Sequence, residues 1–310
     1  MAGRRLKVGL ALGSGAARGW AHIGVIRALE EAGIRPDVVA GCSIGALVGG
    51  GYVSDSFDEL EDWARKIRTW EVMRLLDVRL GGGLIEGDSL MRSLAKTFGK
   101  VDMGDLALPF AAVATDLEAG REVWLREGSL LDAVRASIAV PGLMAPVRHE
   151  GRWLVDGGLT DPVPVSLCRA MGADVVIAVN LNSDLVGRHV RNLRGAAHHG
   201  IDGDGGLPEW IEGVDERWLS GRLGKWLKKR QNGEHTPGML DVMAGSINIM
   251  QDRITRSRMA GDPPELLISP KLSHIGLLEF ERAAETIEAG RNAAERAMEG
   301  SDLVGDEPEA

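Results

Sequence analysis

An α/β fold with a mainly parallel central sheet flanked by helices is predicted from three features of the sequence. Short apolar runs alternate with helical patterns from residue 6 to residue 180. Residues 38–48 place an apolar run, the pentapeptide Gly41-Cys-Ser-Ile-Gly45 and a second apolar segment in direct succession. At 310 residues the chain can also bury a large core without disulfides or metals. Together these features predict one domain, with the C-terminal helices as a cover.

The first predicted elements form a strand–helix–strand unit. Residues 6–12 form a buried strand, residues 20–31 carry apolar side chains at helical spacing, and Gly33 caps that helix. Residues 37–41 form a second strand, and a helix runs from Ser43 to about Tyr52. Two strands joined by a helical crossover are predicted to pair in parallel.

Helical patterns and strands alternate along the rest of the chain. Residues 57–98 are mainly helical, and residues 109–115 and 121–125 form neighbouring strands. The remaining predicted elements are a helix at 130–138, strands at 151–156, 173–180 and 265–269, and helices at 238–259 and 277–298.

Domain organisation follows a change in composition after residue 180. Residues 6–180 are the predicted catalytic core, 238–300 complete the same domain, and 301–310 form an acidic tail. Residues 181–237 are predicted to be a mobile insertion, in which 208–230 form a broken amphipathic helix containing Trp218 and Trp226. This helix is either a flap that contacts membranes or a structural helix with buried tryptophans.

Charge and cysteine content limit the partners and the location. The net charge of -9 argues against nucleic acid, because phosphate binding requires a basic face. Cys42 and Cys168 form no disulfide framework, which indicates a reducing compartment. The N-terminal residues are predicted to belong to the first strand and not to a signal peptide, and no apolar stretch reaches the roughly 18 residues of a membrane helix. We predict a cytoplasmic protein, with transient contact at the inner membrane surface as the alternative.

Ser43 is the candidate nucleophile, because G-x-S-x-G between a strand and a helix forms a nucleophile elbow. Gly41 and Gly45 leave room where the chain turns abruptly and would crowd Cβ atoms. The N-terminus of the following helix, which begins near Ile44, favours negative charge on a bound oxygen.

The glycine-rich loop from Gly13 to Gly19 is the second candidate part of a site. Its backbone N–H groups can point into one concavity, so Ser14, Gly15 and Ala16, together with Ile44, are the predicted oxyanion-hole donors. Arg18 either holds an anionic headgroup or packs at the rim of the loop. A dinucleotide turn is disfavoured, because Arg18 stands where the third glycine is needed and the second strand does not end on Asp or Glu.

Asp156 is the candidate base, because it ends an apolar strand and Gly157-Gly158 follows it. An α/β-hydrolase triad is disfavoured, because the elbow comes too early in the chain and most of the late histidines lie in the insertion or at its exit. The cluster of histidines and aspartates at 198–204 does not match the spacing of a standard metal site, and no cofactor or metal is predicted. The candidate bases weighed against Asp156 are His22, His198, His199, His235 and His274.

Three motifs in this order resemble the patatin-like phospholipase family, and the resemblance covers residues 8–180. They are Ser14-Gly-Ala-Ala-Arg-Gly19, Gly41-Cys-Ser-Ile-Gly45 and Asp156-Gly-Gly158. The resemblance implies lipid acyl hydrolase chemistry, with Ser43 as nucleophile, Asp156 as base and the loop as oxyanion hole. The chain departs from the family's glycine-rich loop where Ser14 and Ala16 replace glycines, and only glycine enters positive φ freely.

The predicted function is a serine-dependent lipid acyl hydrolase acting on phospholipid or lysophospholipid through a Ser–Asp dyad. Two alternatives stay open from the sequence. One is an acyltransferase or small-ester esterase of the same fold, and the other is a regulatory or binding protein with little turnover. The oligomeric state is also left open.

Overall fold

The computed structural model describes residues 4–68, 71, 87–184 and 239–301. The chain divides into two compact units, one of residues 1–186 with 247–310 and one of residues 187–246. Of the second unit only residues 239–246 are described, as the first part of a long helix. The predicted flap at 208–230 and the tail beyond residue 301 lie outside the described residues.

One sheet of eight strands forms in the described part of the first unit. The strands are β1 (Val8–Leu12), β2 (Val38–Cys42), β3 (Phe110–Asp116), β4 (Arg121–Leu125), β5 (Val147–His149), β6 (Arg152–Asp156), β7 (Val175–Val179) and β8 (Leu266–Ile268). Strand β1 pairs in parallel with β2 on one side and with β7 on the other. Strand β2 pairs in parallel with β3, and β7 pairs in parallel with β8. Strands β4 and β6 pair antiparallel with β3, and β5 pairs antiparallel with β6.

Helices flank this sheet, which confirms the predicted fold class. Among the described residues they are α1 (Ala21–Glu31), α2 (Ile44–Val53), α3 (Phe57–Lys66), α4 (Asp88–Phe98), α5 (Leu130–Ser137), α6 (Val165–Ala170), α7 (Met239–Gly261) and α8 (Ala283–Glu299). Short 3-10 helices occur at Ala16–Trp20, Met103–Asp105, Gly157–Leu159 and Phe280–Arg282.

The central strands are buried on both faces, as their nearly continuous apolar sequences require. Leu10 and Leu12 belong to the larger apolar cluster, whereas Ala11 belongs to a smaller cluster with residues of α6. Because successive side chains of a strand point to opposite faces, the two clusters are the cores above and below the sheet.

Strand β3 aligns the two strands that carry the candidate catalytic residues. Ala112 pairs with β2 and with β4, and Ala114 pairs with β4 and with β6. Since a strand has only two edges and β4 occupies one, β2 and β6 lie end to end along the other. Cys42 therefore lies opposite Val113, and Asp156 lies opposite the next residue of β3.

Across the described ranges of the chain, no helix combines the length and the apolar character that crossing a membrane requires.

Candidate active site

Ser43 lies in the turn between β2 and α2 with φ 56 and ψ -124, a conformation that residues other than glycine rarely adopt. Close packing of the chain enforces this turn. A Cβ on Gly45 would lie 2.1 Å from the carbonyl oxygen of Leu12, and a Cβ on Gly41 would lie 2.5 Å from the Cα of Ala46. The two glycines therefore let α2 begin directly against β1 and β2. Strain of this kind is typical of functional sites.

Asp156 is the last residue of β6 and lies against Ser43. The Ser43 hydroxyl donates to Oδ2 of Asp156 at 2.5 Å, and the N–H of Gly158 donates to Oδ1 at 2.8 Å. The N–H of Asp156 itself donates to the carbonyl of Ala139 at 2.9 Å. Both carboxylate oxygens and the backbone of Asp156 are thus held, and only 3% of the residue is exposed.

Burial raises the pKa of Asp156 to about 6, because a carboxylate loses its hydration there. The hydrogen bonds from Ser43 and Gly158 act in the opposite direction and limit the rise. The carboxylate is therefore ionised at neutral pH but more basic than a carboxylate in water. A group with this pKa can accept a proton from a hydroxyl that is already hydrogen-bonded to it.

The glycine-rich loop follows β1, which ends at Leu12, and its first two N–H groups are already hydrogen-bonded. The N–H of Gly13 donates to the carbonyl of Val179, and the N–H of Ser14 donates to the carbonyl of Pro162 at 2.8 Å. The prediction of Ser14 as an oxyanion-hole donor is therefore wrong, because its N–H already has an acceptor.

Three of the four predicted oxyanion-hole donors keep a backbone N–H group that is available to a ligand. In the described part of the chain, the amides of Gly15, Ala16 and Ile44 have no acceptor. Ala16 adopts φ 51, which costs a residue with a side chain about 1–2 kcal/mol. The loop thus reaches a left-handed conformation at Ala16 without glycine there.

Arg18 packs beneath this loop and is only 2% exposed. Its Nε donates to the carbonyl of Gly15 at 3.1 Å, and one Nη donates to Oδ1 of Asn248 on α7 at 3.2 Å. Burial lowers the pKa of Arg18 to about 10. Of the two predicted roles, these contacts favour a structural one, in which Arg18 fixes the carbonyl of Gly15. Gly19 completes the turn, because a Cβ there would lie 2.1 Å from the side chain of Ile44.

An apolar cavity opens beside Ser43. Its volume is about 90 Å³. Side chains on its wall include Trp20, Leu47, Trp63, Leu143, Met144 and Phe280. The apolar part of this surface accepts a hydrocarbon chain.

The histidines of the described residues do not contact Ser43 or Asp156. His22 is buried with Nε2 2.7 Å from the carbonyl oxygen of Gly13, and burial lowers its pKa to about 4. His274 is exposed and pairs with Glu285 at 2.8 Å. His198, His199 and His235 lie outside the described residues.

Two residues of the site were given no role by the sequence analysis. Ser137 at the end of α5 accepts the N–H of Ser43, and Gln251 on α7 accepts the hydroxyl of Ser14. Both are polar residues within helical patterns that contain other polar residues. Their contacts arise from the tertiary fold, so no spacing could have indicated them.

The fold and the site define an α/β protein whose strained strand–helix turn holds a serine against a buried carboxylate. The sequence profile of the patatin-like phospholipases matches residues 10–169. The chain belongs to the patatin-like phospholipase family, which confirms the resemblance given by the three motifs. Lipid hydrolysis is the general activity of this family.

Relatives of two kinds match the chain. An uncharacterised NTE family protein of Mycobacterium tuberculosis is 35% identical over 98% of this chain and 94% of its own length. A lysophospholipase of Emericella nidulans is 38% identical over 57% of this chain but 12% of its own length. Among solved structures, VipD from Legionella pneumophila gives a TM-score of 0.47 at 13% identity over 95% of this chain and 67% of that chain.

Proposed function

We propose that the chain is a serine-dependent lipid acyl hydrolase, with Ser43 as nucleophile and Asp156 as general base. The observation that carries the proposal is the hydrogen bond from the Ser43 hydroxyl to Asp156 Oδ2 at 2.5 Å. A nucleophile and base within hydrogen-bond distance, beside unpaired backbone donors, are the parts that acyl transfer requires.

The first half of the reaction forms an acyl-enzyme. Asp156 takes the hydroxyl proton as Ser43 Oγ attacks the ester carbonyl, and the negative charge moves to the carbonyl oxygen. The N–H groups of Gly15, Ala16 and Ile44 are the donors available to that oxygen. Collapse of the tetrahedral intermediate breaks the ester C–O bond, and the leaving alcohol takes the proton from Asp156.

The second half returns the enzyme to its starting state. Asp156 accepts a proton from water as the water oxygen attacks the acyl-serine carbonyl. The second intermediate then expels Ser43 Oγ, which recovers the proton, and the fatty acid leaves. Because the pKa of Asp156 is raised to about 6, the same carboxylate can both accept and return a proton at neutral pH.

The cavity and the relatives support a proposal for the substrate class. The apolar walls beside Ser43 suit the hydrocarbon chain of an acyl ester. Relatives named lysophospholipase match over part of this chain. We therefore propose lysophospholipids, which carry one acyl chain, as the substrate. Contact with a membrane through residues 208–230 and a cytoplasmic location remain predictions from the sequence.

Fluorophosphonate labelling combined with lysophospholipid hydrolysis tests the proposal. Wild type should be labelled on Ser43 and release fatty acid, and Ser43→Ala should lose both, with at least about a 10³-fold drop in kcat. Ser54→Ala, at the other end of α2, is the matched control and should behave as wild type. Retained hydrolysis in Ser43→Ala would exclude Ser43 as nucleophile. Transfer of the acyl group to an alcohol in preference to water would make the chain an acyltransferase, and wild type without labelling would indicate a binding protein.

A further inference from the structure

The side-chain amide of Gln251 lies between the two halves of the candidate site. Gln251 belongs to α7, is 6% exposed and comes from the C-terminal part of the first unit. Its Oε1 accepts the hydroxyl of Ser14 at 2.8 Å and the Nδ2 group of Asn182 at 3.0 Å. The amide is thus bonded directly to the residue that precedes the donors Gly15 and Ala16.

The other end of the same amide packs against the turn that holds the base. A Cβ on Gly158 would lie 2.3 Å from Nε2 of Gln251, so the amide occupies the space where a side chain of residue 158 would begin. The N–H of Gly158 is the donor to Oδ1 of Asp156. Gln251 therefore contacts the backbone that orients the carboxylate.

Ser14 is fixed from several directions. Its N–H donates to the carbonyl of Pro162, and its own carbonyl accepts Nδ2 of Asn182 at 3.3 Å. The hydroxyl of Ser14 adds the bond to Gln251, which glycine at this position could not make. The serine at position 14 thus gives the loop a hydrogen bond to α7.

We propose that Gln251 is a positioning residue, which sets the oxyanion donors Gly15 and Ala16 relative to Asp156 through the hydroxyl of Ser14. The inference rests on the proposed function of this site. Gln251 does not line the apolar cavity, so replacing it should leave substrate binding unchanged. Its loss should act on the transition state, where the oxyanion first requires its donors, and should lower kcat with KM preserved.

Gln251→Met tests this role, because methionine fills similar space and makes no strong hydrogen bond. We expect kcat for a lysophospholipid to fall about tenfold or more with KM within about twofold, since small misplacements of a catalytic group are costly. Arg253→Met, on the exposed side of the same helix, is the matched control and should leave both constants unchanged. Assays run well below the melting temperature of each variant separate loss of positioning from loss of folding.

Ser14→Ala removes the same hydrogen bond from the loop and remains testable if Gln251→Met does not fold. It should lower kcat with KM preserved, and the double variant should be no slower than Gln251→Met alone, because both changes break one contact. Independent effects that multiply in the double variant would overturn the proposal. Unchanged kcat in both single variants, with activity lost in Ser43→Ala, would overturn only the role of Gln251. Activity retained in Ser43→Ala would overturn the proposed function and this role with it.

Discussion

Ser137 connects the backbone of Ser43 to the middle of the sheet. Its hydroxyl accepts the N–H of Ser43 at 2.8 Å and donates to the carbonyl of Val113 on β3 at 2.6 Å. The N–H of the strained residue is therefore satisfied in a buried position. Because this N–H is occupied, the available donors at the elbow begin with Ile44.

Ser137→Ala should weaken both stability and activity. The change leaves the N–H of Ser43 and one lone pair of the Val113 carbonyl without a partner, which costs about 1–3 kcal/mol of unfolding free energy. We also expect kcat to fall about tenfold or more, because the turn that carries Oγ loses a support. Urea unfolding and hydrolysis of a soluble ester measure the two effects.

Ser129→Ala is the matched control at the other end of α5. Ser129 caps this helix by accepting the N–H of Asp132 at 3.2 Å, and its loss should cost about 0.5–2 kcal/mol. Since Ser129 does not contact the site, kcat should stay at the wild-type value. Equal losses of kcat in Ser137→Ala and Ser129→Ala would mean that α5 affects catalysis only through the overall stability of the protein.

Asp156→Asn should give an inactive protein that is more stable than wild type at pH 8. The folded pKa of about 6 lies above the ordinary value of 3.8, so the folded state binds the proton more tightly than the unfolded state. The charged carboxylate therefore destabilises the fold above pH 6, by up to about 3 kcal/mol. Asparagine keeps a similar shape without this cost.

The stability difference between Asp156→Asn and wild type should shrink as the pH falls from 6 towards 4, because wild type then becomes protonated in the folded state. Urea unfolding at pH 8 and at pH 4.5 measures it. A variant that is less stable than wild type at pH 8 would contradict the burial argument, since it would mean that the charged form stabilises the fold.

Activity should fall as the pH decreases through about 6, because protonated Asp156 cannot accept the Ser43 proton. The profile of kcat/KM should keep this acidic limb in His274→Ala, whose histidine is exposed and pairs with Glu285. His22 should not contribute either, because burial lowers its pKa to about 4. If the acidic limb of the pH profile moved or disappeared when a histidine was replaced, that histidine would have to take part in catalysis.

Much of the fold could be predicted because its signals are local. The apolar runs of β1, β2 and β7 and the helical period of α1 lie within single segments, and the bounds found differ from those predicted by a few residues. The short strand β5 was not predicted, because its three residues form a strand only through pairing with β6.

The site could be predicted only where a motif carries it. Ser43 and Asp156 stand in motifs that the turn geometry requires, and β3 brings them together. The N–H of Ser14 donates to the carbonyl of Pro162, a residue distant in the sequence. The loop pattern therefore predicted an oxyanion donor whose N–H group is already hydrogen-bonded in the fold. Gln251 and Ser137 depend in the same way on helices packed from elsewhere in the chain.

Narrowing the apolar cavity should change acyl-chain preference without removing the chemistry. Leu143 lines the cavity and is only partly buried, so Leu143→Trp can add bulk there without disrupting the core. Each methylene that loses its burial costs about 0.8 kcal/mol, and excluding two of them lowers kcat/KM by about tenfold. We expect this loss with a long-chain lysophospholipid and a much smaller one with an acetate ester, which places no chain in the cavity.

Leu117→Trp provides the comparison, because Leu117 is 53% exposed and does not line the cavity. Its ratio of long-chain to acetate activity should equal that of wild type. If Leu143→Trp lowered both activities to the same extent, tryptophan would be disturbing Ser43 or its donors. If it lowered neither, the acyl chain would bind elsewhere, and the cavity would no longer support lysophospholipid as the substrate. A lower long-chain activity alone would place the hydrocarbon chain against Leu143, with its carbonyl beside Ser43.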